Sequence, residues 1–233
     1  RILLVSVMAM TYSCKVPSKE ILGPSIEEWI CECRADKNGR LDDIFVLANW
    51  LSTLVGQDSL MYPCEISLNL KPDFVVTDGR NVIGIEVTKF LAEQRARAAK
   101  IANVKRVFHC PTEFDFDSPA RRNDDIRDMV GRAPPGLTGW RSIPEQLDLY
   151  KEKFENILTE KTRKAIVEAT RSCSSFWLVI EDQHFLSPSD LHLLNEQLKG
   201  HLEHYWRSEP SFDSIYFSSI RHKEATLAFR KAV

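Results

Sequence analysis

The sequence predicts an α/β fold in which a mixed central sheet is flanked by helices. Three observations predict it. Apolar residues recur at three-to-four spacing in several segments, alternate with polar residues from Cys64 onward, and run continuously through Phe176-Trp177-Leu178-Val179-Ile180. A run of the last kind is a strand buried on both faces, which requires helices on both sides of its sheet.

The elements follow in order. Ile2 to Met10 is apolar, with Arg1 in front, and suits a first strand or residues upstream of a start at Met8 or Met10; a signal-peptide core is the other reading. The run is about half of the roughly 20 residues that a membrane span requires, and nothing later approaches that length. Ser25-Ile26-Glu27-Glu28 has the form of a capping box, predicting a helix start that runs to about Ala35. Asn38-Gly39 breaks the chain, after which Leu41, Ile44, Leu47, Ala48, Leu51 and Val55 mark one face of a helix that should lie flat on the sheet.

From Cys64 the period becomes two, with Ile66, Leu68 and Leu70 on one side. Pro72 to Val76 is a second extended segment, Thr77-Asp78-Gly79-Arg80 the turn, and Asn81 to Lys89 the next strand. Phe90 to about Val107 returns to helical composition. The segment 109–144 carries Pro111, Pro119, Pro134, Pro135 and Pro144 with few periodic apolar residues, which predicts an insertion or mobile loop, with a short helix around Asp124 to Val130. A long helix is expected from about Pro144 to Thr170. A helix carrying Leu191, Leu194, Leu198 and Leu202 follows the buried strand, and Phe212 to Ile220 closes the chain as a last strand.

The 233 residues, 43% of them hydrophobic, suit a single domain over 1–233 with one elaboration. The formal net charge of -2 provides no overall basic field, so any polyanion must meet a local basic patch. Six scattered cysteines without a CxxC pair are expected to be reduced thiols in a cytoplasmic protein. A zinc site at Cys31 and Cys33 lacks a neighbouring histidine, and no Gly-rich phosphate loop occurs.

Chemistry concentrates at one place. Along Asn81 to Lys89, Ile83, Ile85 and Val87 point one way while Glu86 and Thr88 point the other, so Glu86 is an acid embedded in an apolar strand. A carboxylate there is costly to desolvate unless it is paired or binds a cation. The neighbouring strand offers Asp73. Two carboxylates brought together repel until a divalent ion neutralises them, so an acid pair on adjacent strands suits magnesium. The reading requires the two carboxyl groups to meet with room for an ion.

Pro72-Asp73, a hairpin, and then Glu86-Val87-Thr88-Lys89 resembles the PD-(D/E)XK nuclease superfamily, and the order of elements from Leu41 to Ile180 resembles its restriction endonuclease-like core. The resemblance implies a Mg²⁺ (or Mn²⁺) dependent nuclease that cleaves phosphodiester bonds, with DNA the favoured substrate. It implies that Asp73, Glu86 and the Val87 carbonyl hold the metal, and that homodimers are an expected arrangement because cutting two strands takes two sites. The alternative is a nuclease-like module that binds nucleic acid or protein without turnover.

The motif departs from the superfamily pattern at one position, since Thr88 stands where the lysine is usual and Lys89 is one residue beyond. Three readings are open. Lys89 swings in at the strand end through a bulge, which is slightly favoured and gives the catalytic set Asp73, Glu86 and Lys89; or a lysine from the Lys161/Lys164 helix reaches across; or the lysine is lost. Glu27, Glu28 and Glu32 are candidates for a further ligand, with a solvated helix face the commoner role. Arg95, Arg97, Lys161 and Lys164 are the candidate nucleic-acid contacts, because their cationic heads displace counterions from phosphates. Gln94 suits a hydrogen bond at the core edge, and His201 with His204 lacks a third ligand.

Overall fold

The structure is a computed structural model that describes residues 12–35, 40–91, 93–105, 120–130, 147–167, 173–183, 188–207, 210–219 and 226–232. A seven-stranded mixed sheet unites them, with the strands side by side in chain order. Strands β1 (Ser13–Val16), β2 (Cys64–Leu68), β3 (Phe74–Thr77) and β4 (Val82–Phe90) form an antiparallel meander. Strand β5 (Ser175–Asp182) then runs parallel to β4, β6 (Ser214–Ser219) parallel to β5, and β7 (Leu227–Arg230) antiparallel at the edge. The α/β class and its mixed sheet are therefore as the sequence predicts.

The helices are α1 (Leu22–Ala35), α2 (Leu41–Leu51), α3 (Leu54–Ser59), α4 (Glu93–Lys105), α5 (Asn123–Met129), α6 (Leu147–Thr162) and α7 (Pro188–Tyr205). Alternation along the central strands divides the core into two layers. Ile83, Ile85 and Val87 of β4, Val179 of β5 and Tyr216 of β6 pack with Trp29, Leu47 and Trp50 of α1 and α2. Phe90, Leu178, Ile180, Ile215 and Phe217 pack with Phe154 and Leu158 of α6 and with Leu194 and Leu198 of α7. Both faces of β5 and β6 are thus covered, which is why those strands read as continuous apolar runs. A smaller cluster of Ala98, Ala102, Ile126 and Val130 joins α4 to α5.

Several boundaries differ from expectation. Helix α1 begins at Leu22, behind a 3-10 turn at Lys19–Ile21, so Ser25 lies inside the helix instead of capping it. Pro24 permits this, because the third helical position has no partner for its missing N–H. The helix expected through Val55 ends at Leu51. Thr53 there turns extended and caps α3 by accepting a hydrogen bond from Gly56 N at 3.0 Å. Gly56 lies so close that a Cβ would fall 2.2 Å from the Trp50 carbonyl oxygen, so the corner needs glycine.

Edge strands β1 and β7 are four residues each, too short for a periodic signal. The β3–β4 turn is as expected, with Gly79 at φ +83° and the Asp78 carboxylate accepting from Arg80 N and Asn81 N. The helix expected to reach Thr170 leaves α geometry at Thr162, and Arg163–Val167 forms a wider π turn. Of the expected insertion at 109–144, only the part containing α5 is described, and the strand or leader expected at 2–10 lies outside the described residues. Among the described residues no helix is long and apolar enough to cross a membrane.

Candidate functional site

The site is built where β3 begins. The chain reverses through Asn69 to Pro72, closed by Asn69 N donating to Asp73 O at 2.8 Å. Phe74 pairs with Ile85 across the β3–β4 ladder, which brings Asp73 opposite Glu86. Pro72 can lie against β4 only because Gly84 has no side chain, since a Cβ would meet Pro72 Cγ at 2.7 Å and Phe176 Cδ1 at 2.9 Å. Local sequence thus fixes the pair: a proline that turns the chain in, an acid directly after it, and a glycine two residues before the second acid.

The two acids do meet. Asp73 N donates to Glu86 Oε2 at 3.2 Å, and Val87 N donates to Asp73 Oδ2 at 3.0 Å, so each carboxylate is held by the backbone of the other's strand. Glu86 is 5% exposed. Burial, with the Asp73 charge second, pushes its carboxyl up to about 7, against the opposing pull of Lys161.

Each acid also holds a basic side chain. Lys161 Nζ donates to Glu86 Oε1 at 2.7 Å and to the Val87 carbonyl at 2.9 Å, and lies 3.9 Å from Asp73 Oδ2. Arg40, at the start of α2, hydrogen-bonds Asp73 Oδ1 and the Asn69 carbonyl through its two terminal nitrogens, while its Nε donates to Asp43 at 2.8 Å. The three groups expected to hold a metal, Asp73, Glu86 and the Val87 carbonyl, therefore converge on one point, but the head of Lys161 stands there and Arg40 holds Asp73, so the room for an ion that the sequence reading requires is taken by a basic side chain.

Lys161 reaches that point through the periodicity of α6. Tyr150, Phe154, Ile157 and Leu158 form the buried stripe of the helix, and Lys161 takes the next position along it. Its backbone is fixed beyond that point, because the adjacent Thr162 hydroxyl makes a 2.7 Å hydrogen bond with Tyr205 OH, which accepts from Phe212 N at 2.9 Å.

The structure takes Lys89 elsewhere. No bulge interrupts the β4–β5 ladder, so Lys89 lies on the α2 side, with its Nζ 3.5 Å from Asp42. Of the three readings of the lysine, the geometry brings Lys161 to the acids and does not bring Lys89. Thr88 shares the Glu86 face by alternation. Glu27, Glu28 and Glu32 are exposed on α1. Lys164 pairs with Glu160 one turn along the same helix, and Arg97 is exposed on α4, while the Arg95 side chain lies outside those described. His201 pairs with Glu155 at 3.0 Å.

Arg40 escaped the sequence reading, although the signal was present: it stands four residues before Ile44 and so continues the buried stripe of α2 beyond the helix start. Lys161 in the apolar register of α6 is the second such signal.

No protein-family model matches the chain, and no curated protein or solved structure matches it. The class defined by fold and site is therefore a mixed α/β protein with a buried acid pair and two converging cations.

Proposed function

We propose that the protein is a divalent-metal-dependent phosphodiesterase acting on nucleic acid, with DNA the favoured substrate. The observation that carries the reading is the convergence of Asp73 Oδ2, Glu86 Oε1 and the Val87 carbonyl on a single cationic centre. Two carboxylates and one carbonyl suit Mg²⁺ or Mn²⁺, which take one or two carboxylates from protein and keep water for the rest. The likeness of Pro72-Asp73 and Glu86-Val87-Thr88-Lys89 to the PD-(D/E)XK superfamily adds to the reading.

When bound, a divalent ion supplies Lewis-acid stabilisation of the charge that develops on a phosphate. Asp73 and Glu86 hold the cation, and the backbone bonds between their strands keep both carboxylates in place. Lys161 replaces Lys89 as the lysine of the site, its ammonium remaining within reach of the reacting phosphate. Arg40 orients Asp73. Arg97 and Lys164 are proposed as phosphate contacts outside the acid pair, and pairing of two chains would serve cleavage of two strands.

The test is a cleavage panel of single-stranded, double-stranded and branched nucleic acids with and without Mg²⁺ or Mn²⁺, run beside Asp73→Asn and Glu86→Gln. Divalent-dependent nicking lost in both folded variants is the expected result. A second reading, a binding module without turnover, is favoured by the charge balance of the site, where Lys161 and Arg40 already neutralise both acids, and by Thr88 in the usual lysine position. Divalent-independent binding with no cleavage of any substrate would establish it.

A further inference from the structure

We infer that Lys161 is a built-in occupant of the cation position, which a divalent ion must displace before the site becomes competent, so that this one side chain tunes the metal concentration at which the protein responds. The inference rests on the metal-binding reading above and names how that site is regulated. Lys161 Nζ lies 2.7 Å from Glu86 Oε1 and 2.9 Å from the Val87 carbonyl, distances that leave no space for a second cation between those oxygens. At 3.9 Å from Asp73 Oδ2 the ammonium engages that acid only weakly, and the main partner of Asp73 is Arg40 on its other oxygen. A divalent ion would neutralise both at once and cannot coexist with the ammonium at the same point, because two buried cations in contact repel.

Displacement is feasible without unfolding the helix. The lysine stem has four rotatable carbons, and its side chain is 19% exposed, so it has a route outward. The backbone does not follow, because Leu158 is buried one turn before and Thr162 is tied to Tyr205 directly after. The ammonium therefore withdraws by side-chain rotation and stays close to the site it vacates. The coupling is a competition: apparent metal affinity is the intrinsic affinity multiplied by the fraction of molecules in which the head of Lys161 is withdrawn.

The test measures Mn²⁺ binding to the full chain by calorimetry for the wild type, Lys161→Gln and Asp73→Asn. Lys161→Gln should bind Mn²⁺ about tenfold more tightly or better, and Asp73→Asn should lose binding. Acylation of Lys161 in the wild type, followed by mass spectrometry, should be slow without metal and accelerate when Mn²⁺ is added; this readout does not depend on any variant folding. Equal or weaker binding by Lys161→Gln, or an acylation rate unmoved by Mn²⁺ that binds through Asp73, overturns the inference while leaving the metal site intact. Absence of Mn²⁺ binding in both the wild type and Lys161→Gln overturns the metal site and the inference together.

Discussion

Two buried acids on adjacent parallel strands invite comparison. Glu86 of β4 faces α6, while Glu181 of β5 faces α2 and is 3% exposed. Both are as deeply buried as core leucines, yet their surroundings differ in kind. Glu181 is satisfied by neutral donors, with Asn49 Nδ2 at 2.7 Å on one oxygen and Gln183 Nε2 on the other. Lys89, its register neighbour, pairs with Asp42. Glu86 instead faces a second carboxylate and shares one ammonium with it. Burial alone therefore does not make a site. The environment of Glu181 is complete with dipoles, whereas that of Glu86 concentrates like charges and draws cations in.

The largest expected difference between the two acids is in activity. Asp73→Asn or Glu86→Gln should reduce divalent-dependent cleavage by roughly a thousandfold, since several kcal/mol of transition-state stabilisation is at stake. Glu181→Gln should leave cleavage near the wild-type rate at a temperature where the variant is folded. A comparable loss in Glu181→Gln would erase the distinction between the two acids. Next come the lysines, where Lys161→Met should cost about a hundredfold in rate, as expected for a group that handles charge or protons, and Lys89→Met should cost little. The reverse ranking in steady-state rates would move the proposed catalytic role from Lys161 to Lys89.

Stability should separate them along pH. Glu86 is raised from its ordinary 4.5 to about 7 in the fold, so its contribution is complete below about 4.5 and is lost as pH rises through about 7. Denaturant titrations of wild type and Glu86→Gln across pH 4 to 8 should diverge by roughly 3 kcal/mol over that window. A constant offset would show that burial and Asp73 do not act on Glu86 as described. Glu181→Gln leaves one amide donor unmet and should cost about 1–3 kcal/mol. Gly84→Ala, which forces Pro72 and Phe176 aside, should cost about 1–3 kcal/mol and weaken Mn²⁺ binding through Asp73.

Much of the architecture was legible because it follows from periodicity. The alternation at Ile83, Ile85 and Val87 separates Glu86 from that core face, and Pro72-Asp73 places the partner acid on the neighbouring strand. The short edges β1 and β7 were not legible, because four residues cannot display a period. Neither was the end of α2, where the limit is the approach of Gly56 to the Trp50 carbonyl, a contact between segments that hydrophobic spacing does not encode.

By itself the sequence determined the α/β class, the two faces of β4 and the acid pair, since each depends on local alternation and a single hairpin. Only the tertiary structure decided which cations meet those acids. Lys161 is 75 residues from Glu86 and Arg40 is 33 from Asp73, and such pairings are set by how α6 and α2 lie on the sheet, which no local pattern specifies. The same packing sent Lys89 to Asp42 on the opposite face, because an uninterrupted strand gives a lysine three residues after Glu86 no way back to it.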